Sequence, residues 1–368
     1  MRIAVNLLWL APGRVGGSEE YLARQLTGLP HDAGIDPVLY SQPSFAAAHP
    51  ELAARFEIVP MPFRRDWRGA RVIAEHTWLA ARTGGAAVVH HGGGTVPIVT
   101  RRPALLTVHD LQYVSAPERF SPVRLRYLRT MMPGSVRRAA VVATPSQYVR
   151  ASVVDVLGAD EESVVVIPHG VPDPDPHPDA ERIAAARAAH GLGERPYVIY
   201  PAITHPHKAH RLLVDMLAHL DRDVLLVLPG GVGAAEPGLR EAIAAGNAAD
   251  RVRRVGRVER TQLDALVAGA EVLAFPSEYE GFGAPLVEAM ALGTPIVCSA
   301  HPAIREVVAG AAVVVEEANG TAWAAAVDEA RRRRDELTAA GAARRQAFTL
   351  EVSGAALAAA YRQAADRS

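Results

Sequence analysis

Short apolar runs alternate with stretches of helical periodicity along nearly the whole chain. That alternation is the pattern of a parallel α/β architecture, in which each buried strand is followed by a helix that crosses back over the sheet. In the first half it predicts strands over 3–10, 37–41, 57–60, 87–91, 104–109, 141–144 and 164–168. In the second half it predicts strands over 197–201, 224–228, 252–256, 272–276, 296–299 and 312–315. Between the two sets, His169-Gly170-Val171-Pro172-Asp173-Pro174-Asp175-Pro176 alternates proline with aspartate, and neither a helix nor a central strand can continue through it. Two domains are therefore expected, 1–170 and 171–347, with an Ala-rich helix over 348–368 at the end. No repeat of solenoid length is present.

Composition narrows the class. A chain of 368 residues is long for one domain and comfortable for two. A net charge of −1 argues against general nucleic-acid binding. The one cysteine, Cys298, has no partner for an internal disulfide, and its apolar run Pro295-Ile296-Val297-Cys298 makes it a packed core residue rather than a nucleophile. The start of the chain is apolar but broken by Asn6, so it reads as a first buried strand and not as a signal peptide. No apolar run is long enough to span a bilayer, and a cytoplasmic enzyme is the default expectation. Arginine serves almost everywhere as the cation. Lys208 is the single lysine, in His205-Pro206-His207-Lys208-Ala209-His210 just after the apolar run 197–200. A compact ammonium and a planar guanidinium are not equivalent at a crowded phosphate site.

The most informative segment is Pro276-Ser277-Glu278-Tyr279-Glu280-Gly281-Phe282-Gly283-Ala284-Pro285-Leu286-Val287-Glu288-Ala289-Met290. A strand leads into a glycine-flanked loop and then a helix. Gly281 and Gly283 let backbone N–H groups approach a ligand. Pro285 suits a first helical turn, and Gly293 with Pro295 reads as the stop. The free N–H groups and positive dipole end of such a helix favour a phosphate. Glu280 in the loop and Glu288 about one turn into the helix are placed to accept from hydroxyls on either side of it. A nucleotide sugar has that layout: a diphosphate between two sugars. The bland alternative is a buried strand–turn–helix with solvated glutamates.

The full string, with seven residues between Glu280 and Glu288, resembles the donor site of retaining glycosyltransferases of family four, which have the GT-B fold. The resemblance implies two Rossmann-like domains facing a cleft, with an N-terminal acceptor domain, a C-terminal donor domain and a terminal helix that packs back on the first. It implies that Lys208 grips the donor diphosphate. The arginine expected five residues earlier is Ile203 and the usual asparagine after the lysine is Ala209, so Thr204 or His205 could assist. Nucleobase contacts are implied near Arg257 and Val258, and donor contacts at Gly281, Phe282 and Gly283. Gly16 and Gly17 resemble the loop beside donor phosphate and acceptor. His109 and Asp110 resemble the histidine step near the anomeric carbon, and His169-Gly170 the hinge. Their plain readings are a capped turn and a strand end.

Other chemistries are weaker. Gly13–Gly17 has the wrong spacing for a dinucleotide fingerprint. His91-Gly92-Gly93-Gly94 mimics an esterase oxyanion loop, but no Gly-x-Ser-x-Gly nucleophile exists, so these glycines read as a cleft loop. His205, His207 and His210 lack a local carboxylate or cysteine to complete a metal set. No cofactor or metal is expected, only a nucleotide-sugar co-substrate. Arg64–Arg71 and Arg119–Arg129 mix cations with aromatics and suit either an anionic membrane surface, at the inner face, or solvated helix faces. The expected activity is transfer of a hexosyl group to a hydroxyl of a glycan, a lipid-linked sugar or a small molecule. Glu280, His109 and Lys208 are the expected catalytic residues. A retaining phosphorylase or epimerase on the same fold, and a non-catalytic sugar-nucleotide binder, are the alternatives.

Overall fold

The computed structural model describes residues 1–12, 17–62, 72–246 and 248–367. The chain divides into two compact units, Met1–Gly170 with Phe348–Ser368, and Val171–Ala347.

The first unit is built on a seven-stranded sheet. Its strands are β1 (Arg2–Leu7), β2 (Asp36–Ser41), β3 (Glu57–Pro60), β4 (Val88–His91), β5 (Ala104–Thr107), β6 (Val141–Thr144) and β7 (Val164–Val166). All pairs are parallel, in the order β3-β2-β1-β4-β5-β6-β7. Strand order reverses between β1 and β4, which is where an open α/β sheet opens its ligand-binding crevice at the carboxyl edge. Residues on β1 alternate between two cores. Ile3, Val5 and Leu7 pack with Leu357 and Tyr361 of the terminal helix. Ala4, and Leu8 just past the strand, pack with Val89 and Leu79 on the opposite face.

The terminal helix, Leu350–Asp366, is capped by Thr349, whose side chain accepts from Val352 N–H. It lies so close to the helix Gly17–Thr27 that a Cβ on Gly354 would sit 1.8 Å from Gly28 O, so only glycine fits there. Tyr361 hydroxyl meets His90 Nδ1 at 2.9 Å, and His90 Nε2 meets Thr107 Oγ1 at 2.8 Å. The imidazole thus joins the helix to two central strands.

The second unit repeats the plan with β8 (Tyr197–Ile199), β9 (Leu225–Pro229), β10 (Val252–Gly256), β11 (Val272–Phe275), β12 (Ile296–Ser299) and β13 (Val313–Val315). The order is β10-β9-β8-β11-β12-β13, again all parallel, with its reversal between β8 and β11. Cys298 is buried in β12, and burial pushes its thiol up to about 12, as suits a core residue.

Every strand expected from the apolar pattern is present, but several end earlier than their apolar runs. Leu8 (0% exposed), Val108 (1%), Ile167 (1%) and Tyr200 (0%) follow their strands and stay buried. Val108, Ile167 and Tyr200 each still donate one N–H to the adjacent strand, to Ala143 O, Thr144 O and Val227 O, and the chain then turns out of the ladder.

His90 is pushed from 6.5 down to about 3, chiefly by burial, so the folded protein holds it neutral. Below about pH 6.5 the unfolded chain binds a proton that the folded chain refuses, so stability should fall as pH drops toward 3. Tyr361→Phe leaves a buried ring nitrogen unpaired and should cost about 1–3 kcal/mol. Urea midpoints at pH 7 and pH 5, for wild type and variant, check both.

Candidate functional site

Two loops meet at the reversal point of the second sheet. The first leaves β8, makes a 3-10 turn over Pro206–Lys208 and passes through Ala209 into the helix His210–Leu217. The second leaves β11 and enters the helix Ala284–Ala291. Glu278 N–H donates to His207 O at 2.8 Å and ties the loops together. Lys208 Nζ donates to Glu280 Oε1 at 2.5 Å, with both side chains mostly buried. The ammonium also lies 5.7 Å from the centroid of the Phe275 ring. Beneath the pair, Tyr200 hydroxyl meets Ser277 Oγ at 2.7 Å. Burial, with Glu280 adding to it, pushes that phenol well up, so it stays neutral.

Gly283 is the N-cap of the helix Ala284–Ala291. Its φ of +99° is a left-handed conformation that glycine adopts without strain, and no side chain caps the helix there. The first-turn N–H groups therefore have no side-chain acceptor at the cap, the situation that favours an anion. Phe282 is buried, so what it presents to a ligand is backbone. Glu288 Oε1 accepts from Arg260 Nη1 at 2.9 Å, and Arg260 also pairs with Asp264. Burial opposes the charge on Arg260, but the two carboxylates hold it protonated.

Thr204 does not face outward, as its expected help at the diphosphate would require. It is fully buried, its hydroxyl donates to Glu236 Oε2 at 2.9 Å and it accepts from Gly233 N–H at 2.7 Å. Glu236 also accepts from Arg254 at 2.7 Å and from Arg240 at 3.2 Å. Burial opposes its ionisation, but these bonds hold the carboxyl below the usual carboxylate range. A Cβ on Gly233 would sit 2.5 Å from Thr204 O, so the two loops pack backbone to backbone. Sequence reasoning missed this latch. Its signal was Pro229-Gly230-Gly231-Val232-Gly233, glycines placed immediately after a buried strand. Arg257 is exposed beside that loop, after Gly256 at the end of β10, and Val258 is half-buried. His205 and His207 stack at 5.8 Å, whereas His210 is buried against Tyr200 at 4.9 Å. Among the described residues no three His, Cys, Asp or Glu side chains converge as metal ligands.

In the first unit, His109 and His169 both pack on Tyr21, with ring centroids 5.3 Å and 4.5 Å away. His109 Nε2–H donates to Gly92 O at 2.9 Å, and burial holds the ring below its ordinary value, so it is neutral with Nδ1 as acceptor. His169 is pushed well down by burial and by Arg24. Asp110 is exposed and accepts from Gln112 N–H at 2.9 Å in a local turn. Gly170 packs on Leu350 and Ser353, where a Cβ would lie 3.1 Å from each. Gly17 begins the helix Gly17–Thr27; Gly16 lies outside the described residues.

The sequence matches the family described as Glycosyl transferases group 1 over residues 183–347, and Glycosyltransferase Family 4 over residues 15–175. The D-inositol 3-phosphate glycosyltransferase of Xylanimonas cellulosilytica is 30% identical over 311 residues, covering 80% of this chain and 72% of that protein. The chain belongs to the family-four glycosyltransferases. As such it is a retaining-family enzyme that transfers a sugar from a nucleotide-sugar donor. O-antigen chain mannosyltransferase B of Escherichia coli is 28% identical over 218 residues, and the match spans 58% of this chain and 57% of that protein. Anabaena HepE, solved in complex with UDP and glucose, superposes with a TM-score of 0.78 over 98% of both chains at 20% identity. That likeness shows the shared GT-B fold of this glycosyltransferase.

Two backbone features of the site are testable. Ala209 takes φ +47°, a left-handed conformation that costs alanine roughly 1 kcal/mol, so Ala209→Gly should stabilise the protein by up to about that amount in urea unfolding. Thr204→Val keeps the volume but strands Gly233 N–H and one Glu236 interaction, and should cost about 1–3 kcal/mol by the same measurement.

Proposed function

We propose that this glycosyltransferase moves a hexosyl group, with retention and without a metal, from a nucleoside-diphosphate sugar to a hydroxyl of a glycan, a glycolipid precursor or a small molecule. The observation that carries the reading is the Lys208–Glu280 contact beside an uncapped helix N-terminus. The hard step is loss of a nucleoside diphosphate from an oxocarbenium-like sugar. Lys208, the backbone of Gly281–Gly283 and the helix Ala284–Ala291 supply positive charge to that leaving group, the electrostatic contribution that usually dominates. Before the donor arrives, Glu280 occupies the ammonium. A diphosphate competes for Lys208 and releases the carboxylate to the hydroxyls of the sugar. Glu288, oriented by Arg260, takes the ribose, and Arg257 and Val258 lie at the base. UDP-sugars are the first donors to test, because HepE was solved with UDP and glucose.

The acceptor side is assigned to the first unit, with the neutral His109 and His169 as its candidate polar groups. No general base is assigned, because the departing phosphate can take the acceptor's proton. Peripheral contact with an anionic bilayer is proposed through the helix Pro122–Arg138, which exposes Val123, Arg124, Arg126 and Arg129. Among the described residues no helix is long and apolar enough to cross a membrane. The other Arg-rich stretch, Arg64–Arg71, lies outside the described residues.

Lys208→Ala should raise the dissociation constant of UDP by about tenfold to a hundredfold, the loss of one charge-assisted contact, while thermal unfolding stays near wild type. Calorimetric titration checks it; unchanged UDP affinity refutes the phosphate role. Glu280→Gln should lower kcat, and Glu288→Gln should act mainly on nucleotide affinity, because a ribose contact persists unchanged into the transition state. Turnover should also survive EDTA. A loss restored by Mn²⁺ would contradict the metal-free reading.

A further inference from the structure

Thr204 and His205 are neighbours turned to opposite sides. Thr204 is buried in the latch with Gly233 and Glu236. His205 has extended backbone, φ −88° and ψ 153°, so its side chain leaves the other way, to the surface. The turn Pro206–Lys208 follows at once and brings the chain to the lysine. The imidazole is held between two loops of the carboxyl edge. Its ring stacks on His207, with centroids 5.8 Å apart and planes 12° from parallel. A Cβ on Gly233 would sit 3.1 Å from His205 Nδ1, so the backbone of the loop 230–235 is its other neighbour. The ring makes no hydrogen bond or ion pair among the described residues.

The charged groups around it come from four elements. On its own turn stand His207 and Lys208. From the loop after β11 come Glu280, bonded to Lys208, and the exposed Glu278, whose N–H holds His207 O. The loop 230–235 carries no titratable side chain, and Glu236 behind it is buried and bonded to Thr204, Arg240 and Arg254. Arg257, after β10, flanks Gly231. No carboxylate is bonded to His205. Partial burial, and then the Lys208 ammonium, hold the ring below its ordinary value, so it is uncharged at neutral pH. A diphosphate at Lys208 reverses that balance. It carries a negative charge on each phosphate, and an anion within reach favours the imidazolium over the neutral ring.

We propose that His205 is a second, titratable cation of the donor diphosphate site: it takes a proton from solvent as the nucleotide binds, donates to a phosphate oxygen, and returns the proton when the nucleoside diphosphate leaves. The inference rests on the placing of the diphosphate at Lys208 and adds a proton to that binding step. The sign follows from linkage. The bound nucleotide raises the ring's affinity for a proton, so the added grip is present at low pH and is lost as pH rises past the bound-state value. Lys208 keeps its charge throughout that range, so it supplies the constant part of the attraction and His205 the part that varies.

The test is calorimetric titration of the whole protein with UDP, GDP, ADP and dTDP, continued with the tightest of them. Repeating it at pH 7 in buffers of different ionisation enthalpy counts the protons taken up. Wild type should take up about half a proton more per nucleotide than His205→Gln. At pH 6 His205→Gln should weaken binding about tenfold, and at pH 8 by no more than about twofold. The terminal phosphate of the nucleotide titrates near pH 6 itself, but identically in both proteins, so the difference between them isolates the histidine. His205→Arg, a permanent cation, should restore binding and remove the pH dependence that wild type shows beyond that of His205→Gln. The residue is exposed, and both variants should unfold thermally as wild type does. Equal proton uptake in wild type and His205→Gln would overturn the proposal, as would uptake that His207→Gln removes and His205→Gln leaves. If Lys208→Ala weakens binding while His205→Gln leaves the proton count unchanged, the diphosphate site stands and this inference alone falls. No binding by any of the four nucleotides would remove the donor reading and this inference with it.

Discussion

The strand-end loops of the second unit are arranged around one contact, the 2.5 Å ion pair between Lys208 and Glu280. The partners lie 72 residues apart and meet only because β8 and β11 are neighbours in the sheet. At that reversal the loops after the two strands lead into separate helices, and a gap opens between their starts. Bringing an ammonium and a carboxylate partly out of water opposes folding, and their attraction offsets that only when the geometry is good. The contact is therefore better understood as a poised charge than as a stabilising brace. The surrounding bonds hold it in place: Glu278 N–H to His207 O, Tyr200 to Ser277, and the latch of Thr204 with Gly233 and Glu236. Each of these joins one strand-end loop to another part of the carboxyl edge.

The first unit obeys the same constraint with different side chains. Its core strands are apolar along most of their length, and polar groups collect at the carboxyl ends: Asn6 on β1, His90 and His91 on β4, Thr107 on β5. The two histidines are adjacent and point to opposite faces. His90 is consumed by structure, since both of its nitrogens are bonded and it fastens the terminal helix. His91, on the other face, pairs with Asn6 across the strand ends. A strand's period of two thus sends neighbouring histidines to different partners.

Strand positions were legible because buried parallel strands are continuous apolar runs, and the family was legible because the segment from Pro276 to Met290 combines strand end, glycines and helix start in one string. Lys208 stood out as the only lysine. What pairing adds was hidden. Nothing local says that Lys208 and Glu280 touch, because that follows from sheet order. Thr204, with His205, was offered as help at the diphosphate because the resemblance's arginine is replaced by Ile203, yet its hydroxyl is bonded to Gly233 and Glu236. Glu236 reads in sequence as an ordinary acidic residue at a helix start, and only the fold buries it. His91 was visible only as the first residue of a glycine-rich loop; its ring pairs with Asn6, which is 85 residues away.

The central claim is that Glu280 and a diphosphate compete for one ammonium. The most direct measurement is UDP affinity, without any sugar attached, in wild type, Glu280→Gln, Lys208→Ala and the double variant, by calorimetry at one ionic strength. Competition predicts that UDP binds Glu280→Gln at least as tightly as wild type, since the ammonium is released, and that this gain disappears when Lys208 is also removed. UDP binding weakened equally by Glu280→Gln and Lys208→Ala would contradict it, because the two residues would then be acting together on the nucleotide rather than exchanging partners.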